Sequence, residues 1–319
     1  MKRVLSLCFG LLMCALCLVP GVRADERGDE NLSGPKIPPL QGRLVLKSMP
    51  FSAIVKRKIT TWVYLPPGYN KSAARYPVVY LLHGQPGGWP DCYRSGHVEA
   101  MADSLIAAGQ MVPTILVAFD GDGPRGARDM TNFCNRATDN YRAEDMIVQE
   151  LVPYIDATYR TKATPSQRAL WGYSAGGYGA LNLGFKHPDV WNVLCSHAGF
   201  YSPQDDAELM TRILGPRAAN AARWNANNPM LQIDKLPAHV PLHVYMDASP
   251  SEDGFDEFQT LTRKLQARDI EYSVQTLPKA HAWHIIAQRC RVSLLFASRC
   301  FAGDSVQDSI QDQDKAARL

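Results

Sequence analysis

A serine framed by glycines is the feature that most constrains the fold of this 319-residue chain. Residues 172–176 read Gly-Tyr-Ser-Ala-Gly, with an apolar segment before them and an Ala-, Gly- and Leu-rich segment after them. A serine on a sharp turn between a buried strand and a helix has a strained backbone and a projecting hydroxyl. A glycine-rich turn without chemistry is the alternative, and the flanking segments favour Ser174 as a nucleophile.

Segments with strand and helix patterns alternate along the chain. Strands are predicted at 59–65, 77–82, 114–119, 168–173, 191–196, 242–246 and 271–277, and helices at 98–108, 141–159, 174–186, 255–268 and from about 285. This alternation predicts an α/β fold with a mostly parallel central sheet and helices on both faces. Residues 199–239 are irregular, and we interpret them as a cap or insertion near the active site within one domain, 41–303.

The first residues have the three-part pattern of a secretory signal peptide. Lys2 and Arg3 precede an apolar run at 4–19, and small residues flank Arg23. The run is shorter than the roughly 20 residues that a membrane-spanning helix needs. We therefore expect cleavage after Ala24, no stable membrane span in the mature protein, and a secreted or periplasmic location. A polar lead at 25–40 follows, and the polar tail at 304–319 is expected to be disordered.

The formal charge of +3 is matched by three basic residues within 1–24, so the rest of the chain is balanced. Because no basic block remains, the pattern gives no sign of nucleic acid or anionic membrane as a partner. No cofactor is implied. His281 and His284 have the spacing of a helical metal pair but lack a third ligand nearby, so no metal is expected. The oligomeric state is left open.

Five cysteines follow the predicted cleavage site: Cys92, Cys134, Cys195, Cys290 and Cys300. In an oxidising compartment an odd number allows up to two disulfides and leaves at least one thiol. Cys195 lies in an apolar strand pattern, which favours a buried free thiol.

A serine hydroxyl needs a base to become a nucleophile. A strand, Gly-x-Ser-x-Gly and helix unit is typical of the α/β-hydrolase fold, which supplies its triad in the order Ser, acid, His. His281 is the preferred base, because it lies between the last predicted strand and the last helix, whereas His284 begins that helix. The acid, which orients the imidazole and stabilises its charged form, should follow the strand at 242–246.

Four acids lie after that strand: Asp247, Glu252, Asp253 and Asp256. We prefer Asp253, because residues 251–254 have the composition of a loop that ends where a helix begins. Glu252 and Asp256 remain alternatives.

An oxyanion hole needs two backbone donors. One should be the amide of Ala175, directly after the nucleophile. The other should come from the loop 83–88, His-Gly-Gln-Pro-Gly-Gly, in which Pro86 has no amide hydrogen and Gln85 is the natural donor. His83 is expected to brace this loop.

Several motifs together resemble the Putative esterase family of the α/β-hydrolases, over roughly residues 60–290. The motifs are Tyr-Leu-Pro-Pro-Gly-Tyr at 64–69, Tyr-Pro-Val-Val-Tyr-Leu-Leu-His-Gly at 76–84, Glu-Leu-Val-Pro-Tyr-Ile at 150–155, Gly-Tyr-Ser-Ala-Gly-Gly at 172–177 and His-Pro-Asp at 187–189. That family includes esterase D (S-formylglutathione hydrolase), feruloyl, acetyl-xylan and enterochelin esterases, and the mycolyltransferases.

By this resemblance Ser174 matches the family nucleophile, His281 its base and Asp253 its acid. The chain departs from the family pattern at three places. Residues 249–250, Ser-Pro, lengthen the loop before the acid, and Lys-Ala at 279–280 replaces a common pair of glycines. His197 stands where the family often has a serine, and the sequence assigns it no role.

The leading hypothesis is a serine carboxylic-ester hydrolase that forms an acyl-enzyme on an extracytoplasmic substrate. A small-molecule ester or a carbohydrate- or lipid-linked ester would fit. One rival is an acyltransferase that uses the same triad on an alcohol acceptor. A rival from another class is a non-catalytic binding protein on the same fold, which an intact Ser, acid and His set disfavours.

Overall fold

The computed structural model describes residues 39–278 and 281–304, except for the side chain of Ala127. The predicted signal peptide, most of the polar lead and nearly all of the polar tail lie outside these residues. Within the described ranges, no helix is long and apolar enough to cross a membrane.

One eight-stranded sheet forms the centre of the described chain. Its strands are β1 (Arg43–Phe51), β2 (Lys58–Leu65), β3 (Val78–Leu82), β4 (Ile115–Phe119), β5 (Arg168–Tyr173), β6 (Val193–His197), β7 (His243–Ala248) and β8 (Glu271–Thr276), in the spatial order β1-β2-β4-β3-β5-β6-β7-β8. β2 pairs antiparallel with both β1 and β4, and all other pairs are parallel. The predicted mostly parallel sheet is confirmed, and β1 is an edge strand that the sequence pattern did not reveal.

Helices cover both faces of the sheet, as predicted. They are α1 (Asp91–Arg94), α2 (Val98–Ala107), α3 (Ala143–Met146), α4 (Val152–Thr158), α5 (Ala175–Lys186), α6 (Ala207–Leu214), α7 (Arg217–Ala226), α8 (Pro229–Gln232), α9 (Phe255–Ala267) and α10 (Trp283–Ala302). The helix predicted at 141–159 is divided, since a π-helical turn over Ile147–Leu151 separates α3 from α4. Pro153 follows that turn and lacks the N–H that a regular α-helix would use there.

Successive residues of the central strands point to opposite faces and enter two apolar cores. Val78 and Leu170 pack on the face that α5 and α9 cover, whereas Val79 and Trp171 pack on the face of α2 and α10. All residues of β3, β4, β5 and β6 are buried. Burial on both faces explains why these strands read as continuous apolar runs.

The segment at 199–239 contains three short helices, α6 to α8, where the sequence showed only an irregular pattern. Met210 and Trp224 from this segment pack against Tyr178 of α5 in a third apolar cluster. This contact fixes the segment above the start of α5, so that it forms one wall of the candidate site.

The five described cysteines are all buried and free. The structure therefore realises none of the disulfides that their number allowed. Cys195 is a buried thiol, as its apolar strand pattern predicted.

Candidate active site

Ser174 occupies the turn between β5 and α5, with φ 57° and ψ −118°. This is a left-handed backbone conformation that a non-glycine residue adopts only under constraint from its surroundings. Its N–H donates to the carbonyl of His197 at 2.9 Å, and its own carbonyl accepts the N–H of Tyr178 at 3.0 Å. The turn is therefore fixed by hydrogen bonds on both sides, and the hydroxyl of Ser174 faces a cleft.

Two glycines make this turn sterically possible. A Cβ added to Gly172 would lie 2.0 Å from the carbonyl oxygen of Gly176, and one added to Gly176 would lie 2.0 Å from that of Leu82. Real side chains do not approach backbone oxygens so closely, so residues 172 and 176 must lack a Cβ for β5, α5 and β3 to pack together.

The structure brings His281 to Ser174, as the sequence predicted for a base. The Ser174 hydroxyl lies 3.1 Å from Nε2 of His281, which belongs to the short segment before α10. Tyr173 packs against His281 and Trp283, with ring centroids 5.2 and 4.7 Å apart. Burial raises the pKa of Tyr173 to about 12, so this aromatic support stays neutral.

The four acids after β7 differ in whether they contact the segment that carries His281. Glu252 is half-buried, and its carboxylate accepts the backbone N–H of His281 at 2.7 Å. Asp253 and Asp256 are exposed, and the side chain of neither forms a hydrogen bond to another described residue. Asp247 is fully buried and bonds His197 instead. Among described residues, Glu252 is thus the candidate acid that contacts the His281 segment.

The two predicted oxyanion donors, Ala175 and Gln85, line the same cleft as Ser174. Among the described residues, no acceptor bonds either backbone amide. The side chain of Gln85 donates to both carboxylate oxygens of Asp122, at 2.9 and 3.0 Å. This contact holds the loop that carries the Gln85 amide.

Asp122 is a functional candidate that the sequence analysis did not select. Burial raises the pKa of its carboxyl, an effect that His83, Gln85 and the N–H of Thr131 oppose. His83 is buried and packs edge-on against Phe133 at 5.3 Å, in agreement with its expected bracing role. The sequence signal that could have indicated Asp122 is the Asp-Gly-Asp-Gly turn at 120–123, but only the fold shows that this turn contacts the loop at 83–88.

A cleft of about 740 Å³ opens over Ser174 and His281. Its walls carry more negative than positive groups, with one arginine, Arg212, facing five carboxylates: Asp205, Asp206, Glu208, Glu252 and Asp253. Burial raises the pKa of Asp205, although two backbone N–H groups stabilise its ionised form. Asp206 caps α6 by accepting the N–H of Leu209. No group of described His, Cys, Asp or Glu residues is arranged to hold a metal ion.

A serine hydroxyl beside an imidazole, at the carboxyl edge of a mostly parallel sheet, is the arrangement typical of the α/β-hydrolase class. The model of the family described as Putative esterase matches residues 52–284, and the chain belongs to that family. The resemblance seen in the sequence motifs is confirmed.

Two kinds of curated relative illustrate the family. The chain is 30% identical over 216 residues to Esterase Rv1288 of Mycobacterium tuberculosis, an alignment that covers 62% of this chain and 44% of the relative. It is 33% identical over 160 residues to an endo-1,4-beta-xylanase/feruloyl esterase of Xylanibacter ruminicola, covering 46% of this chain and 20% of the relative. The chain therefore spans less than half the length of these relatives.

Solved structures support the same fold. A ferulic acid esterase superposes with a TM-score of 0.70 at 22% identity, covering 82% of this chain and 100% of that one. An S-formylglutathione hydrolase from Agrobacterium tumefaciens also gives a TM-score of 0.70, at 18% identity, covering 83% and 97%. Together with the family match, these comparisons place the chain in the Putative esterase family on the α/β-hydrolase fold.

Proposed function

We propose that this protein hydrolyses a carboxylic ester through an acyl-enzyme on Ser174. The 3.1 Å approach of the Ser174 hydroxyl to Nε2 of His281 carries the proposal. His281 takes the hydroxyl proton as Oγ attacks the ester carbonyl, and the amides of Ala175 and Gln85 stabilise the oxyanion. His281 then protonates the leaving alcohol and afterwards activates the water that releases the acid.

We propose Glu252, in place of Asp253, as the acid of this triad. The 2.7 Å hydrogen bond from the backbone of His281 to Glu252 supports this choice, because it holds the carboxylate against the segment that carries the base. Asp253 is exposed and faces the cleft, so it is assigned to the substrate-facing wall.

The proposed substrate is an uncharged ester outside the cytoplasm, such as an acyl group on a neutral carbohydrate. Five carboxylates and one arginine line the cleft, and a substrate carboxylate would meet a negative potential there. The predicted signal peptide supports the location. A relative named as a feruloyl esterase is compatible with this class, whereas an acidic ester would be disfavoured.

The test is release of p-nitrophenol from acetate and butyrate esters by the wild type and by Ser174→Ala. Ser251→Ala is a matched control, because Ser251 lines the same cleft but bonds Ser249 and lies on another loop. We expect turnover by the wild type and the control and none above background by Ser174→Ala. Equal turnover by all three proteins would reject Ser174 as the nucleophile.

A further inference from the structure

A second Ser, His and carboxylate arrangement lies beneath the active site. Nδ1 of His197 is 2.7 Å from Asp247, and its Nε2 is 2.8 Å from the hydroxyl of Ser293. All three residues have 0% exposure. No ester can reach Ser293 in this fold, so the arrangement has the contacts of a catalytic triad without access to substrate.

The polar groups around His197 form hydrogen bonds with one another. The carboxylate of Asp247 also accepts the N–H of Ala198 and the hydroxyl of Tyr245, each at 3.1 Å. The same carboxylate is placed to accept a third hydrogen bond, from an N–H at Nδ1 of His197.

The hydroxyl of Ser293, at the other end of the cluster, also has a further hydrogen-bond partner. The indole of Trp171 donates to the hydroxyl of Ser293 at 2.8 Å. A buried polar network with its partners matched is rigid, whereas loss of one partner leaves costly unpaired groups.

This buried cluster joins three elements, β6, β7 and α10, that contact or adjoin the segments of the proposed catalytic groups. His197 ends β6, and its carbonyl accepts the N–H of Ser174 at 2.9 Å. Asp247 is the last residue but one of β7, and the loop that contains Glu252 follows this strand. Ser293 is on α10, which begins just after the His281 segment.

The strained backbone of Ser174 explains why its contact with His197 is important for the geometry of the site. Its left-handed conformation persists only if neighbouring contacts oppose relaxation. The carbonyl of His197 supplies one of those contacts, and the side chain of the same residue is fixed by Asp247 and Ser293. Loosening that side chain would free the carbonyl and, through α10, the base.

We propose that His197, Asp247 and Ser293 are positioning residues that hold Ser174 and His281 at reacting distance. The proposal rests on the esterase function proposed above. A displacement of about 1 Å between reacting groups lowers a rate by roughly a hundredfold. None of the three side chains lines the cleft, although the carboxylate of Asp247 accepts the N–H of Ala198, which does. Loss of the His197 or Ser293 side chain should therefore lower kcat and leave KM nearly unchanged.

The test compares Ser293→Ala and His197→Gln with His187→Asn. The control breaks another histidine–carboxylate pair, Nε2 of His187 with Glu144 at 2.8 Å, at the far end of α5, because the shorter Asn amide does not reach the position of Nε2. Active sites are titrated with a fluorophosphonate that labels reactive serine, so that kcat is expressed per reactive site. Hydrolysis of p-nitrophenyl butyrate gives kcat and KM, and thermal melting reports stability.

We expect Ser293→Ala and His197→Gln to lower kcat per titrated site at least tenfold, with KM within twofold of the wild type. His187→Asn should lower the melting temperature yet keep kcat. His197→Asn, whose amide can donate to Asp247 from the position of Nδ1, should recover part of the kcat that His197→Gln loses.

Unchanged kcat per titrated site in Ser293→Ala would overturn the proposal, even if His197→Gln fails to fold. An equal loss of kcat in His187→Asn would also overturn it, because the effect would then follow stability alone. Failure of the esterase function itself would look different: the wild type would show no turnover that depends on Ser174.

Discussion

Glu252 and His281 are joined by a direct hydrogen bond, from the backbone N–H of the histidine to the carboxylate, at 2.7 Å. The bond ties the loop after β7 to the segment before α10. Because the imidazole of His281 lies 3.1 Å from the Ser174 hydroxyl, the two contacts make a continuous chain from acid loop to nucleophile.

Glu252→Gln should lower kcat by about 10³-fold, because a triad acid orients the imidazole and stabilises its protonated form. Asp253→Asn should stay within a fewfold of wild-type kcat, since its exposed side chain bonds no described residue. Steady-state hydrolysis of p-nitrophenyl butyrate by both variants measures the difference. If Asp253→Asn shows the large loss and Glu252→Gln the small one, the assignment of the acid is wrong.

Gly176→Ala should destabilise the fold by about 2 kcal/mol or more, because overpacking a rigid site forces backbone shifts. The new Cβ would lie 2.0 Å from the carbonyl oxygen of Leu82. Gly88→Ala is the control, since the nearest atom to its Cβ would be 3.4 Å away. Urea unfolding curves compare the two, and equal midpoints would contradict the close approach of α5 to β3.

The acidic cleft predicts a preference for neutral esters. At low ionic strength, the kcat/KM for p-nitrophenyl butyrate should exceed that for the anionic mono-p-nitrophenyl succinate by about tenfold. Added salt should reduce this ratio of kcat/KM values, because it screens the charges of the cleft. Glu208→Gln removes an exposed cleft charge and should improve the anionic substrate selectively. Asp189→Asn, an exposed acid outside the cleft lining, should not. A faster reaction with the anionic ester would refute the electrostatic argument.

The buried carboxyl of Glu99 should make the free energy of unfolding depend on pH. Burial raises the pKa of its carboxyl from 4.5 to about 7, so the folded protein holds a proton that the unfolded chain has already lost in that window. Stability should therefore fall as pH rises from about 4.5 through 7. Glu99→Gln should remove this decline and raise the melting temperature by a few degrees at pH 8, while Asp189→Asn should not. A larger gain at pH 4 than at pH 8 would be inconsistent with a raised pKa.

The central features of the fold were predictable because they arise from local patterns. The apolar residues 169–171 and the glycines that follow them define β5, Ser174 and α5 without reference to distant residues. β1 was not predicted, because it is an edge strand with several exposed residues, including Leu46 and Phe51. Its sequence therefore shows no clear alternation of apolar and polar residues.

The remaining site features depend on long-range packing. Glu252 and Asp253 are adjacent in a loop, and composition alone does not tell which side chain turns toward His281. The role of His197 depends on Asp247 and Ser293, which lie on two other elements. Only the paired strands β6 and β7 and the helix α10 bring these groups together.

The most direct test of the account is to identify the acylated residue during turnover. Wild type mixed with p-nitrophenyl butyrate and quenched in acid should carry one butyryl group, and peptide mapping should place it on Ser174. Ser174→Ala should carry none and release no p-nitrophenol above background. A butyryl group on another residue, or undiminished turnover by Ser174→Ala, would contradict the proposed mechanism.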